Sequence, residues 1–217
     1  MPELNASIRD IPLPPRMQSR PISPKGFPVP WFVAQINGEY DFRVIRPGGI
    51  AQAHNRRRCW ICGEPRGRWS VFPIGPMCIV NRVTAEPPSH LSCAEYAARA
   101  CPFLTQPNMR RNSKGLEETG AVQPAGSMIL RNPGVVALWI TDSYSLMDAD
   151  GGVLFKVGPP ARVLWFAEGR QATRAEVEAS IASGMPLLAD AAIEDGPEGV
   201  AALKKAHEAA QALLPAA

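Results

Sequence analysis

The sequence predicts an α+β fold. Short β-rich runs separated by turn signals recur on both sides of a cysteine-containing middle, capped helices close the chain, and a proline-dense start excludes helix there. With 217 residues, 46% hydrophobic and 20% charged, the chain can bury one substantial core or two small ones. Its 23 prolines are about twice the usual share, which implies much extended and irregular backbone. Three regions follow: 1–50, an arm and hairpin; 51–111, the cysteine-containing module; and 112–217, an α+β region able to join the others in one compact domain.

Pro12, Pro14, Pro15, Pro21, Pro24, Pro28 and Pro30 hold 11–30 near polyproline or β geometry. This proline-rich arm is expected to lie along its own fold, with capture of a protein partner as its other use. Apolar-rich runs at 31–36 and 39–45 flank Asn37-Gly38, the pair that best tolerates positive φ at both positions of a type I′ turn, so they form a β-hairpin. Pro47-Gly48-Gly49 ends the second strand, and 54–58 reads as a solvated loop. Runs at 69–72 and 77–83 flank Ile74-Gly75-Pro76 and read as strand, turn, strand. Ser92-Cys-Ala-Glu95 reads as a capping box for a helix through 94–100. The stretch 112–125 lacks apolar periodicity and is expected to be a connection.

Strands at 135–140, 153–157 and 162–166 follow, giving a small antiparallel or mixed sheet. Thr173-Arg-Ala-Glu176 caps a helix expected to stop at Gly184, with Pro186 just beyond. Asp195-Gly-Pro197-Glu opens the last helix, whose Val200, Leu203, His207, Ala210 and Leu214 make one apolar stripe, with His207 as a partly buried core histidine.

No basic stretch followed by an apolar one opens the sequence, and no apolar run approaches the roughly 18 residues a membrane helix needs. A cytoplasmic location without membrane contact is expected. The formal net charge of +3 is unevenly spread: +2 over 1–50, +6 over 51–111 and −5 over 112–217. An anionic partner would meet the middle third first, unless that basic face pairs with the acidic half of the same chain.

Within that third, Cys59-Trp-Ile-Cys62-Gly63 and His90-Leu-Ser-Cys93 stand 27 residues apart. Two residues between cysteines let a tight turn aim both sulfurs at one ion, and Gly63 permits the backbone conformation that turns amide groups toward thiolates. Cys59, Cys62, His90 and Cys93 are therefore expected to bind one zinc ion as a closed, four-coordinate site. An odd count of five cysteines fits metal ligation plus spare thiols better than a disulfide framework. Two other readings stay open. With Cys78 and Cys101 the thiols could hold an iron–sulfur cluster, although the compact spacing of bacterial ferredoxins is absent; or the thiols are simply buried.

A cysteine knuckle, a hairpin and a helix carrying the second ligand pair resemble the treble-clef type of zinc finger, over about residues 58–101. That resemblance implies a structural role for the metal. The phrases Cys59-Trp-Ile-Cys-Gly-Glu64, Gly75-Pro-Met-Cys78, Glu86-Pro-Pro-Ser-His90 and Ala100-Cys-Pro-Phe103 are also similar to a set of bacterial and phage proteins without assigned activity. The HNH nuclease branch of treble clefs needs a catalytic histidine on the hairpin, and no histidine lies between Cys62 and His90.

No deaminase, metalloprotease, nucleophile-elbow or phosphate-loop signature occurs. All nine basic residues of 51–111 are arginine, whose planar fork suits bidentate phosphate contacts. Arg56, Arg57, Arg58, Arg66, Arg68 and Arg82 are the candidate nucleic-acid contacts. Trp60 and Trp69, interleaved with them, are candidates for stacking bases or packing over the knuckle. The expected function is a zinc-stabilised binding or adaptor protein for nucleic acid or a nucleoprotein assembly, in a phage or mobile-element setting as the similar proteins suggest. The alternatives are an enzyme of unfamiliar type using Cys78, Glu86 or His54 beside the metal, and a structural subunit of a larger assembly.

Overall fold

The computed structural model describes residues 3–107, 109–116, 119, 124–126 and 132–216. The proline-rich arm forms no long element, only a single 3-10 turn at Pro15–Met17 and an isolated bridge between Ile22 and Pro28. It lies on the body, where Ile8 and Met17 are buried against the cysteine region. Strands β1 (Val33–Ile36) and β2 (Glu39–Ile45) pair as the expected hairpin. Ile36 opposes Glu39, so Asn37 (φ 51°) and Gly38 (φ 86°) make the whole turn, both left-handed as a type I′ turn requires.

A short unpredicted helix, α1 (Gly49–Asn55), started by left-handed Gly48, takes in the first two residues of the expected loop at 54–58, and Arg56 to Arg58 are non-helical as expected. No side-chain cap announces it. What holds it is Ile50 and Ala53, three apart on one face, packed against Trp31 and Trp60.

Strand β3 (Ser70–Ile74) forms as expected, but the second half of the predicted strand–turn–strand does not. Met77 to Asn81 belongs to helix α2 (Pro76–Asn81), and only β4 (Val83–Thr84) is extended. Pro76 at the first helical position is preset for helix, while Ile79 and Val80 reach the core from the helix and so override their strand preference. Helix α3 (Leu91–Ala100) also departs in detail: its N-cap is His90, with no side-chain cap, so Ser92-Cys-Ala-Glu95 is not a capping box. Helix α4 (Pro102–Thr105) follows. Of the predicted connection 112–125, residues 117–118 and 120–123 lie outside the described residues.

The later strands are β5 (Val136–Thr141), β6 (Tyr144–Ala149), β7 (Gly152–Val157), β8 (Arg162–Ala167) and β9 (Arg170–Gln171). β6 and β9 went unpredicted. β6 is exposed along most of its length and so carries no inward-facing pattern; its cue is the Asp150-Gly151 turn, across which Ala149 opposes Gly152. All pairings are antiparallel, in sheets ordered β1-β2, β3-β5-β8-β9 and β4-β7-β6. Because β3 pairs with β5, one sheet crosses the boundary between the middle and C-terminal regions.

Helix α5 (Arg174–Glu194) begins at the predicted capping box, with Thr173 and Glu176 bonding reciprocally. It does not stop at Gly184. Gly184 is a point of close approach to α2, where a Cβ would come within 2.5 Å of Met77 Sδ, and the helix runs on through Pro186. Helix α6 (Gly196–Gln211) packs Leu203, Ala206 and Ala210 inward; Val200 is exposed, and His207, half-buried, bonds Gln211 at 3.0 Å.

The four-stranded sheet lies between two helical layers. One face packs Phe72, Ala137, Trp139 and Trp165 against α2, α5 and α6, with Phe155 of β7 completing that core. The other packs Val71, Val136, Leu138 and Ile140 under Leu91, Ala94 and Ala98 of α3. β5 is buried on both faces, which is why it reads as an unbroken apolar run. No helix among the described residues is long and apolar enough to cross a membrane.

Candidate metal centre

The residues around Cys59 fold into a knuckle. Cys59 N–H donates to Glu64 O (2.8 Å), Gly63 N–H to Cys59 O (2.9 Å), and Arg66 N–H to Arg57 O (2.7 Å). Gly63 takes φ 82°, closing the turn so that Cys62 N–H points at Cys59 Sγ (3.4 Å). From the other stretch, the Val71–Ser89 bridge ties 89 to the sheet, and His90 N–H donates to the same sulfur at 3.3 Å. Cys93 follows in the first turn of α3.

These elements bring Cys59, Cys62, His90 and Cys93 together, with every ligand atom within 4.8 Å of the others. Cys62 Sγ stands 3.3 Å and Cys93 Sγ 4.0 Å from His90 Nδ1. Tetrahedral bonds of about 2.3 Å to sulfur and about 2.0 Å to nitrogen give sulfur–nitrogen edges of about 3.5 Å, between those two values. His90 Nε2 lies 3.0 Å from Pro65 O, so Nε2 carries a proton that donates to that carbonyl, and Nδ1, which faces the sulfurs, is the nitrogen that would give its lone pair to a metal. The cluster could hold a metal ion, and the cysteines form no disulfide.

The electrostatics suit a cation. Burial pushes the Cys59 thiol up, but hydrogen bonds from the Cys62, Cys93 and His90 side chains and from Cys62 N–H outweigh it and hold Cys59 well below the ordinary thiol value. The Cys62 thiol, hydrogen-bonded to Cys59, is pushed up to about 11. His90 is raised, first by its hydrogen bond with Cys59. Negative charge thus gathers on a buried sulfur, where a metal would replace the shared protons.

The centre is shielded by the arm. Ile8, Met17 and Tyr96 pack with the three ligand cysteines and Ile61, while Arg16 reaches Glu64 at 2.7 Å. That ion pair is half-exposed and worth little, so the apolar contacts carry the attachment. Behind the knuckle, Trp60 stacks on Phe32 (centroids 4.8 Å apart) and meets Trp31 edge-on (6.3 Å). Trp60, 2% exposed, is therefore a packing residue.

The six candidate arginines separate. Arg56, Arg57 and Arg68 are exposed. Arg58, half-buried, donates to Gly63 O at 2.7 Å and braces the knuckle. Arg82, also half-buried, sits over the Trp139 ring. Arg66 is 6% exposed, and its guanidinium is spent on Arg58 O, Ser70 Oγ and Tyr144 OH. His54, expected in a solvated loop, closes α1 with Nδ1 at 3.3 Å from that same Tyr144 hydroxyl. This His54–Tyr144–Arg66 chain, like the Pro65 carbonyl, had no cue in the sequence. Cys78 lies in α2 against the main core, and burial pushes its thiol up to about 11, away from nucleophilic thiolate. Burial raises Cys101 as well.

Compared with protein families, curated proteins and solved structures, the chain matches none. What fold and site define together is an α+β protein with a Cys3His cluster able to hold a metal ion.

Proposed function

We propose that Cys59, Cys62, His90 and Cys93 hold one zinc ion as a closed structural site of the treble-clef kind, and that the protein is a zinc-stabilised binding or adaptor protein for nucleic acid or a nucleoprotein assembly, in a phage or mobile-element setting. The observation that carries the zinc reading is the mutual approach of three sulfurs and one oriented imidazole within 4.8 Å. Three thiolates and one nitrogen suit zinc, whereas a cluster-binding set would need further thiolates; Cys78 and Cys101 are not in the group. Four protein ligands fill a tetrahedron and leave no position for substrate, so the metal's role is to fix the fold. Supporting the binding role are the exposed guanidiniums of Arg56, Arg57 and Arg68, in a region carrying +6.

Elemental analysis of the purified protein should give one zinc per chain, and Cys59→Ser should abolish it. A folded protein containing no metal would overturn the reading. Binding to an oligonucleotide should fall steeply between 50 and 200 mM salt, about one log unit of affinity per log unit of salt for each phosphate contact. Replacing Arg56, Arg57 and Arg68 by alanine should flatten that slope, and a parent protein with no salt dependence would remove the electrostatic basis.

A further inference from the structure

At one end of the four-stranded sheet lies a shallow cleft of about 250 Å³, lined by Trp69, Leu91, Ile140, Ala161 and Arg162. The pairings Ser70–Thr141 and Ile140–Arg162 bring the start of β3, the end of β5 and the start of β8 side by side there. Its floor and walls are almost wholly apolar, yet Trp69, its largest wall, is 43% exposed. An indole so placed still offers much of its surface to solvent and can meet a flat ring. Arg68 holds its guanidinium over the Trp69 ring, 4.9 Å from the centroid. A ring has two faces, and this contact occupies one. Arg57 donates to Gly67 O at 3.0 Å, which sets a second exposed guanidinium beside the segment that leads into β3, while Arg162 is exposed at the start of β8. Asp142, 3.2 Å from Arg68, is the acidic group paired there.

We propose that this cleft is a stacking platform for one base of single-stranded nucleic acid, with Trp69 against the base and Arg57, Arg68 and Arg162 toward the flanking phosphates. The proposal rests on the nucleic-acid reading above and narrows it to single strands. The space admits one planar ring system, and bases in a duplex are stacked on each other and not offered to such a site. An apolar slot ringed by guanidiniums is complementary to a base between two phosphates, and the sparse apolar area makes a poor self-association face. The metal centre has a part in this: Leu91, one wall, directly follows the ligand His90 in the chain, so fixing the ligand fixes the wall.

The test uses the full chain as purified, a twelve-residue oligothymidylate, the same oligomer with abasic sites at its centre, and a duplex of equal length, read by fluorescence anisotropy. Trp69→Ala should weaken binding of the oligothymidylate about 5- to 150-fold, the range for losing one stacked base, and leave the abasic oligomer unaffected. Trp69→Phe should retain most of the affinity. Asp142→Asn, which frees Arg68 and removes a repulsive carboxylate, should tighten binding. Because Trp69 is 43% exposed and belongs to none of the core clusters, unchanged circular dichroism and metal content are expected for these variants and keep the comparison clean. Equal affinity for normal and abasic oligomers, or a Trp69→Ala protein that binds like its parent while Arg57→Ala and Arg68→Ala weaken binding, would sink the platform and leave the broader reading standing. Failure of every oligomer to bind would sink both. Concentration-dependent dimerisation lost in Trp69→Ala would assign the cleft to a second copy of the chain instead.

Discussion

Two glycines with nearly the same backbone conformation allow strain and packing at the knuckle to be separated. Gly63 has φ 82° and Gly38 has φ 86°, so alanine at either position meets the same left-handed penalty of about 1–2 kcal/mol. Their surroundings differ. A Cβ on Gly38 would have nothing within 4 Å, whereas one on Gly63 would come within 2.5 Å of Trp31 Cγ. That indole has little room to swing aside: it is 8% exposed, lies edge-on to Trp60 and carries Arg46 over its ring at 4.7 Å, while the Trp31 main-chain N–H, bonded to Ile61 O at 2.7 Å, fixes the backbone that bears it. Overpacking of this kind typically adds about 1–3 kcal/mol. Gly38→Ala should therefore lower stability by about 1–2 kcal/mol and Gly63→Ala by about 2–5 kcal/mol, measured by equilibrium urea unfolding with zinc in excess. A cobalt(II) titration supplies the second readout. Gly63 also donates to Cys59 O and accepts from Arg58 Nη1, so its displacement should weaken metal binding, whereas Gly38→Ala should not. Equal destabilisation by the two substitutions, or an unchanged cobalt affinity for Gly63→Ala, would refute this account of the knuckle.

Two further predictions concern α5. Hydrogen bonding with Arg170, and with Thr173 next, holds the Glu176 carboxyl at about 2. A depressed folded value means stability that is present above the ordinary carboxylate pKa and lost as pH falls from about 4.5 toward 2, so Glu176→Gln should flatten the acid limb of a pH–stability curve in that window; identical limbs would contradict the capping box. Pro186 is exposed and internal to the helix, where it removes a bond to the carbonyl of Ala182; Pro186→Ala should stabilise the protein by about 1–3 kcal/mol in thermal or urea unfolding, and a neutral or destabilising result would contradict this cost.

Features fixed by local chemistry were legible in the sequence. Asn37-Gly38 determined the hairpin because few pairs accept two positive φ values, and Thr173 with Glu176 marked a helix start whose two hydrogen bonds are both formed. The convergence of Cys59, Cys62, His90 and Cys93 was legible because knuckle geometry imposes a spacing. Features set by what packs against them were not. Ile79 and Val80 suggested a strand, but α2 is held by the core it enters; Gly184 suggested a stop, but its missing side chain makes room for Met77. The proton on His90 is directed by a main-chain carbonyl, and a carbonyl has no signature in sequence. Arg66 resembled its neighbours in the arginine-rich stretch, and only tertiary contact with Tyr144, 78 residues away, sets it apart as an interior residue.

Helix α3 belongs to two interiors at once. Cys93, Tyr96 and Ala100 face the ligand cluster and the arm, while Ala94 and Ala98, essentially without exposure, rest on the sheet. With methyl groups as the spacers along its middle, the distance from helix to sheet has little slack, and ten residues are too few to bend around an obstruction. Anything that lifts the helix from the strands must carry Cys93 with it, and anything that pulls on Cys93 must tug at the strands. The affinity of the Cys3His cluster for a metal and the cohesion of a sheet that contributes no residue to that cluster would thereby be linked as one equilibrium, each measurable through the other.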